Sequence, residues 1–66
     1  MRITLNGEPA NASEGQSLLD LLGSLRITPE RVAVEVNLQI VPRARLGATR
    51  LAAGDAVEVV TLVGGG

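Results

Sequence analysis

The sequence predicts an α+β fold in a single domain, 1–66: a mixed sheet of roughly four to five strands with one main helix packed on one face. Three observations carry that expectation. Short stretches near both ends alternate apolar and polar residues, leucines between positions 18 and 25 recur at helical spacing, and the breaks between these stretches hold glycine, proline or asparagine.

Met1 to Leu5 place apolar residues at Ile3 and Leu5, and Asn6-Gly7 follows. Both residues of that pair tolerate the positive φ of a type I′ turn, so a hairpin is expected, with a second short strand from Pro9 to Ala12. Pro9 has no N–H to donate, which puts that strand at a sheet edge. Ser17-Leu18-Leu19-Asp20-Leu21-Leu22-Gly23-Ser24-Leu25 then begins with a serine and an aspartate in the spacing of a capping box. Leu18, Leu21, Leu22 and Leu25 stand at i, i+3, i+4 and i+7, the apolar face of a helix that covers the sheet. Thr28-Pro29-Glu30 ends it. Val32, Val34 and Val36 alternate with Ala33, Glu35 and Asn37 as a half-buried strand of β-branched residues. Gln39-Ile40-Val41 reads as a further short strand stopped by Pro42, and Arg43 to Arg50 as irregular chain with one helical turn. After a tight turn at Ala53-Gly54-Asp55, Val57, Val59 and Thr61 alternate with Glu58, Val60 and Leu62 in the last strand. A right-handed crossover through the helix lets that strand lie parallel to the first, in the middle of the sheet. This order of elements is the β-grasp arrangement.

With 66 residues, 45% of them hydrophobic and none aromatic, the core has to be built from Leu, Val, Ile and Ala. A chain of this length buries only about 60% of the surface it exposes when unfolded, so its helical leucines are needed inside. There is no cysteine and no histidine, which excludes disulfides, thiolate metal sites and iron–sulfur clusters and removes the commonest general base. The serines and threonines have no base beside them, and the carboxylates are dispersed. The chain is therefore expected not to be an enzyme and to bind neither cofactor nor metal. Six basic residues, all arginine, against seven acidic ones give a net charge of −1, which with the missing aromatics argues against nucleic acid as a partner. Arg43, Arg45 and Arg50 read as a solvated loop cluster. No run approaches the ~20 apolar residues of a membrane span, and the expected location is cytoplasmic.

The sequence closes on Thr61-Leu62-Val63-Gly64-Gly65-Gly66. Glycine loses the most conformational freedom on ordering, so 63–66 is expected to be a flexible tail. Extended, it reaches roughly 13 Å, and its glycines add no side-chain width. Such a tail fits a passive terminus, and it also fits a reactive end inserted into another protein's active site. The second possibility has a definite chemistry: the Gly66 carboxylate becomes an electrophile once ATP adenylates it inside a narrow channel of a partner enzyme, with Gly64 and Gly65 giving access. If Val57 and Val59 face the helix, then Glu58, Val60 and Leu62 point to the uncovered face. There they are either scattered surface residues or a partner-docking surface.

Several segments together resemble one family along the whole chain. They are the first strand ending in Asn6-Gly7, the Ser17-to-Leu22 helix, Val32-Ala33-Val34-Glu35-Val36-Asn37, Ile40-Val41-Pro42-Arg43, Gly54-Asp55 with Val57-Glu58-Val59-Val60, and Val63-Gly64-Gly65-Gly66. In that order and spacing they resemble the ThiS family, the ubiquitin-like sulfur carriers of thiamine biosynthesis. The resemblance implies three steps. An E1-like adenylyltransferase of the ThiF type uses ATP to adenylate the terminal glycine. A sulfur donor system turns the adenylate into a thiocarboxylate, and thiazole synthase of the ThiG type takes that sulfur into the thiazole ring. Carried onto this chain, the reacting atom is the carboxyl carbon of Gly66. One departure is the absence of an aromatic residue in the late strand, where this chain has Val59 and Val60. A related carrier serving molybdopterin or another product, and a plain β-grasp binding module, remain alternatives. The absence of lysine argues against a modifier that forms chains on itself.

Overall fold

The computed structural model describes residues 1–62. Asn6 and Gly7 have φ of 51° and 83°, and they fold strand β1 (Arg2–Leu5) antiparallel onto β2 (Glu8–Asn11). Both values lie in the left-handed region that a type I′ turn requires. The two-residue turn sets Glu8 opposite Leu5, so β2 starts and ends one residue earlier than Pro9 to Ala12. β2 is a sheet edge, as its proline demands.

Helix α1 (Leu18–Ser24) satisfies its N-terminus completely. The Ser17 hydroxyl accepts from the Asp20 amide at 3.0 Å while the Asp20 carboxylate accepts from the Ser17 amide at 3.3 Å, the reciprocal capping box. The Leu18 and Leu19 amides donate to the carbonyls of Thr49 and Leu46 at 2.9 and 3.1 Å. The donors a helix start normally leaves open are thereby used, and none remains for an anion. At the other end Ile27 N–H bonds Leu22 C=O at 2.9 Å and Arg26 N–H bonds Gly23 C=O at 3.1 Å, a Schellman closure with Arg26 at φ 59°. The helix therefore stops at Ser24. Leu25 is its cap, 41% exposed, and the core face of the helix is Leu18, Leu21 and Leu22 without the expected fourth leucine.

β3 (Val32–Val36) and β4 (Gln39–Val41) form the second hairpin around Asn37 and Leu38, at φ 51° and 70°. Its tip is clamped: the Asn37 amide nitrogen Nδ2 donates to Asp55 Oδ1, its Oδ1 accepts from the Ala56 amide, both at 3.0 Å, and its backbone N–H bonds Ala56 C=O at 2.8 Å. Leu38 has no such reason to hold positive φ, which costs a side-chain-bearing residue about 1–2 kcal/mol. It is 89% exposed, so its side chain contributes no core contact in return. Leu38→Gly recreates the Asn-Gly pair of the first hairpin and is expected to stabilise the fold by about 0.5–1 kcal/mol, after the glycine's own entropy is deducted. Urea unfolding measures this; a destabilised variant would show that Leu38 holds the hairpin.

β5 (Ala56–Thr61) runs parallel to β1 and antiparallel to β3, giving the sheet order β2-β1-β5-β3-β4. Ile3, Val34 and Val57 meet Leu18, Leu21 and Leu22 in the core, and Leu46 and Leu51 close its side from the irregular segment between Val41 and Ala56. Among the described residues Ser17 is the buried polar one, and its side-chain hydrogen bond is that of the cap. No helix among the described residues is long and apolar enough to cross a membrane.

Candidate functional site

The chain reaches its last described residues through β5. It lies between β1 and β3, and its N–H and C=O groups are held from both sides. Where β1 stops, the side chain of Asn6 takes over, its Oδ1 accepting from the Val59 amide at 2.7 Å. On the β3 side the ladder runs from Val36↔Val57 to Val32↔Thr61, and the Leu62 amide then donates to the Arg31 carbonyl at 2.8 Å. The chain is thus anchored on a rigid sheet up to Leu62. Val63 and the glycines Gly64, Gly65 and Gly66, expected from the sequence to carry the site, lie outside the described residues.

The alternation expected for β5 holds. Val57 is buried and Val59 packs against the core, while Glu58 is exposed and Val60 and Leu62 are 55% and 54% exposed on the face without a helix. On that face Val60 stands opposite Ala33 and Glu58 opposite Glu35. Ile40 extends the row from β4, since it pairs with Glu35 and is itself 71% exposed. The residues Glu58, Val60 and Leu62 singled out from sequence therefore share one surface, and Ile40 and Glu35 belong to it as well. Sequence spacing did not join them, because cross-strand neighbours are set by register.

Among the described residues no three His, Cys, Asp or Glu side chains stand close enough to hold a metal ion. A groove lined by Val36, Ile40, Val41, Pro42, Arg45 and Thr49 sits by the β3–β4 hairpin, at the opposite end of β5 from Leu62. It lies next to the Asn37–Ala56 contact. Arg43, Arg45 and Arg50 are exposed; Arg50 donates to the Gly15 carbonyl at 3.0 Å and so ties the irregular segment to the loop before the helix.

A five-stranded mixed sheet with its C-terminal strand at the centre and one helix across one face defines a β-grasp domain, here one whose central strand is followed in sequence by Leu62-Val63 and three glycines. The chain belongs to the ThiS family, which it matches over residues 3–66. It is similar to the crystal structure of the thiamine biosynthesis protein (ThiS) from Geobacter metallireducens, with a TM-score of 0.87, 36% identity and complete coverage of both chains. Among curated relatives, the thiazole synthase of Magnetococcus marinus is 50% identical over 66 residues, all of this chain and 20% of that protein. The uncharacterized protein ycf40 of Porphyra purpurea is 44% identical over 64 residues, 97% of this chain and 90% of that one. The chain thus spans 20% of the length of the thiazole synthases it matches.

Proposed function

We propose that this chain is the sulfur carrier of thiazole formation in thiamine biosynthesis, a protein cosubstrate rather than a catalyst. The observation that carries the reading is the family match through residue 66, on a domain whose sheet-central strand ends at Thr61, five residues before the C-terminal Gly66. A carboxylate oxygen of Gly66 attacks the α-phosphorus of ATP in an E1-like adenylating enzyme, and pyrophosphate leaves. A hydrosulfide equivalent delivered by a donor system then adds to the activated carbonyl and expels AMP, and loss of the S–H proton leaves a thiocarboxylate. Its sulfur is a softer and stronger nucleophile than the oxygen it replaces and passes to thiazole synthase without release as sulfide. ATP belongs to the partner's active site; this chain supplies the acceptor carboxylate. The similarity to proteins named thiazole synthase supports that enzyme as the recipient.

Gly64 and Gly65 serve as the slim segment that passes through the partner's channel, and Glu58, Val60 and Leu62 as the surface that docks while the tail is engaged. Chain-dependent exchange of labelled pyrophosphate into ATP by the E1-like enzyme tests the first step. No exchange, with an enzyme active on a known carrier, would remove the adenylation step. Val60→Asp is expected to raise the KM for the chain roughly tenfold with little change in unfolding midpoint, because it sets a charge where an apolar contact forms on an already exposed site. Unaltered exchange kinetics would take Val60 out of the interface.

A further inference from the structure

We propose that Asn6 is a positioning residue for chemistry at the chain end: its carboxamide takes the place of the strand residue that β1 lacks, pins β5 at Val59, and so fixes the line along which the chain leaves the sheet. The inference rests on the sulfur-carrier reading, because that reading makes the direction of the chain end matter.

Backbone hydrogen bonds from residue 55 onward alternate between the two neighbouring strands. The Thr4 and Asn6 amides donate to the carbonyls of Asp55 and Val57 at 3.0 and 2.8 Å, so the odd-numbered residues of this stretch address β1. The Asn37 amide donates to Ala56 C=O and the Leu62 amide to Arg31 C=O, both at 2.8 Å, so the even-numbered ones address β3 and its flanks. The next odd residue is Val59, whose N–H in a continuing parallel ladder would meet a backbone carbonyl. β1 ends at Leu5, however, and Asn6 has already turned to φ 51°. Its Oδ1 supplies the acceptor instead, at 2.7 Å. Among the described residues this is the last hydrogen bond that β5 receives from that side, and Val60, Leu62 and the glycine tail follow it in sequence.

A second asparagine separates positioning from folding. Asn37 also stands at a hairpin tip with φ 51°, and its Oδ1 also accepts from a β5 backbone N–H, that of Ala56 at 3.0 Å, while its Nδ2 donates to Asp55. The two side chains thus make the same kind of bond to the same strand, one at its first residue and one towards its end. The Asn6 bond alone lies where the strand hands over to the exposed Val60 and Leu62 and to the tail. Loss of the Asn37 bond costs fold stability, whereas loss of the Asn6 bond leaves the outgoing end of β5 held from the β3 side only. A strand end with fewer bonds opens locally more often. A partner that needs the held form then binds with an apparent affinity reduced by the fraction still held, and once bound it restores that form.

Asn6→Gly removes the carboxamide and keeps the turn, because glycine adopts positive φ freely and a Gly-Gly pair suits a type I′ turn. Asn6→Asp keeps an acceptor oxygen on a residue that also tolerates that φ. These two variants, Asn37→Gly and the wild type are compared in pyrophosphate exchange with the E1-like enzyme and ATP, in amide hydrogen exchange at Val59, and in thermal unfolding. In Asn6→Gly the Val59 amide is expected to exchange faster and the KM for the chain to rise about fivefold, the effect of one hydrogen bond, with kcat at saturation unchanged. Asn6→Asp is expected to bring both back to the wild-type values. Asn37→Gly is expected to lower the unfolding midpoint at least as much as Asn6→Gly and to keep the wild-type KM. Unchanged Val59 exchange or unchanged KM in Asn6→Gly, no rescue by Asn6→Asp, or an equal rise in KM in Asn37→Gly would each overturn the proposal and leave the carrier reading standing. Failure of the wild-type chain to be adenylated, by an enzyme active on a known carrier, would overturn the carrier reading itself, and this proposal with it.

Discussion

Gly65→Val is expected to lower adenylation of the chain by a factor on the order of a hundred or more at saturating concentration, with the fold unchanged. A β-branched side chain adds width at the one part of the chain that has to enter a narrow channel, and it restricts the backbone around χ1 and φ. Adenylation needs the Gly66 carboxylate within attacking distance of a phosphorus atom, and misplacement by about 1 Å costs ~100-fold in such reactions. The substitution leaves Glu58, Val60 and Leu62 untouched, so binding to the partner should persist and the variant should inhibit the wild-type chain. Turnover at the normal rate would discard the narrow-channel account while leaving adenylation at Gly66 possible. Loss of binding along with turnover would move Gly65 from the channel to the docking surface.

The second large effect falls on the fold. Leu22 is fully buried under the sheet, with Leu18, Leu46 and Val57 among the other completely buried residues. Leu22→Ala removes the transfer free energy of the lost atoms and leaves a cavity, which together cost about 2–5 kcal/mol. A domain of this size has a total stability of roughly 3–10 kcal/mol by the usual per-residue range. The variant is expected to be substantially unfolded near body temperature and to lose carrier function through that route alone. A cooperative thermal transition within a few degrees of the wild type would mean that the core repacks around the gap.

Elements whose residues carry their own local instruction were legible: Asn6-Gly7 dictates the first hairpin, Ser17 with Asp20 dictates the helix start, and the valines of β3 and β5 dictate strands. Leu25 was misplaced because the periodicity that assigned it to the core face continues past the point where Arg26 enters the left-handed region and ends the helix. An arginine gives no sequence signal for that turn, whereas a glycine there would have given one. Leu46 and Leu51 were not recognised as core because they come from a segment without period, and only the packing of that segment against the helix start buries them. Of the site, the apolar direction of Val60 and Leu62 followed from alternation within one strand. The facing of Glu35 and Glu58 did not, because it depends on the register between two strands far apart in the chain.

Chemistry at the carboxyl carbon of Gly66 is reached directly by one measurement. The protein is incubated with the E1-like enzyme, ATP and a sulfur source, and its intact mass is recorded, with fragmentation to locate any change. The account predicts a gain equal to the exchange of one oxygen for one sulfur, confined to Gly66 and dependent on ATP. An unchanged mass, with the same enzyme shown to act on a known carrier, would contradict it and return the β-grasp domain to a binding module.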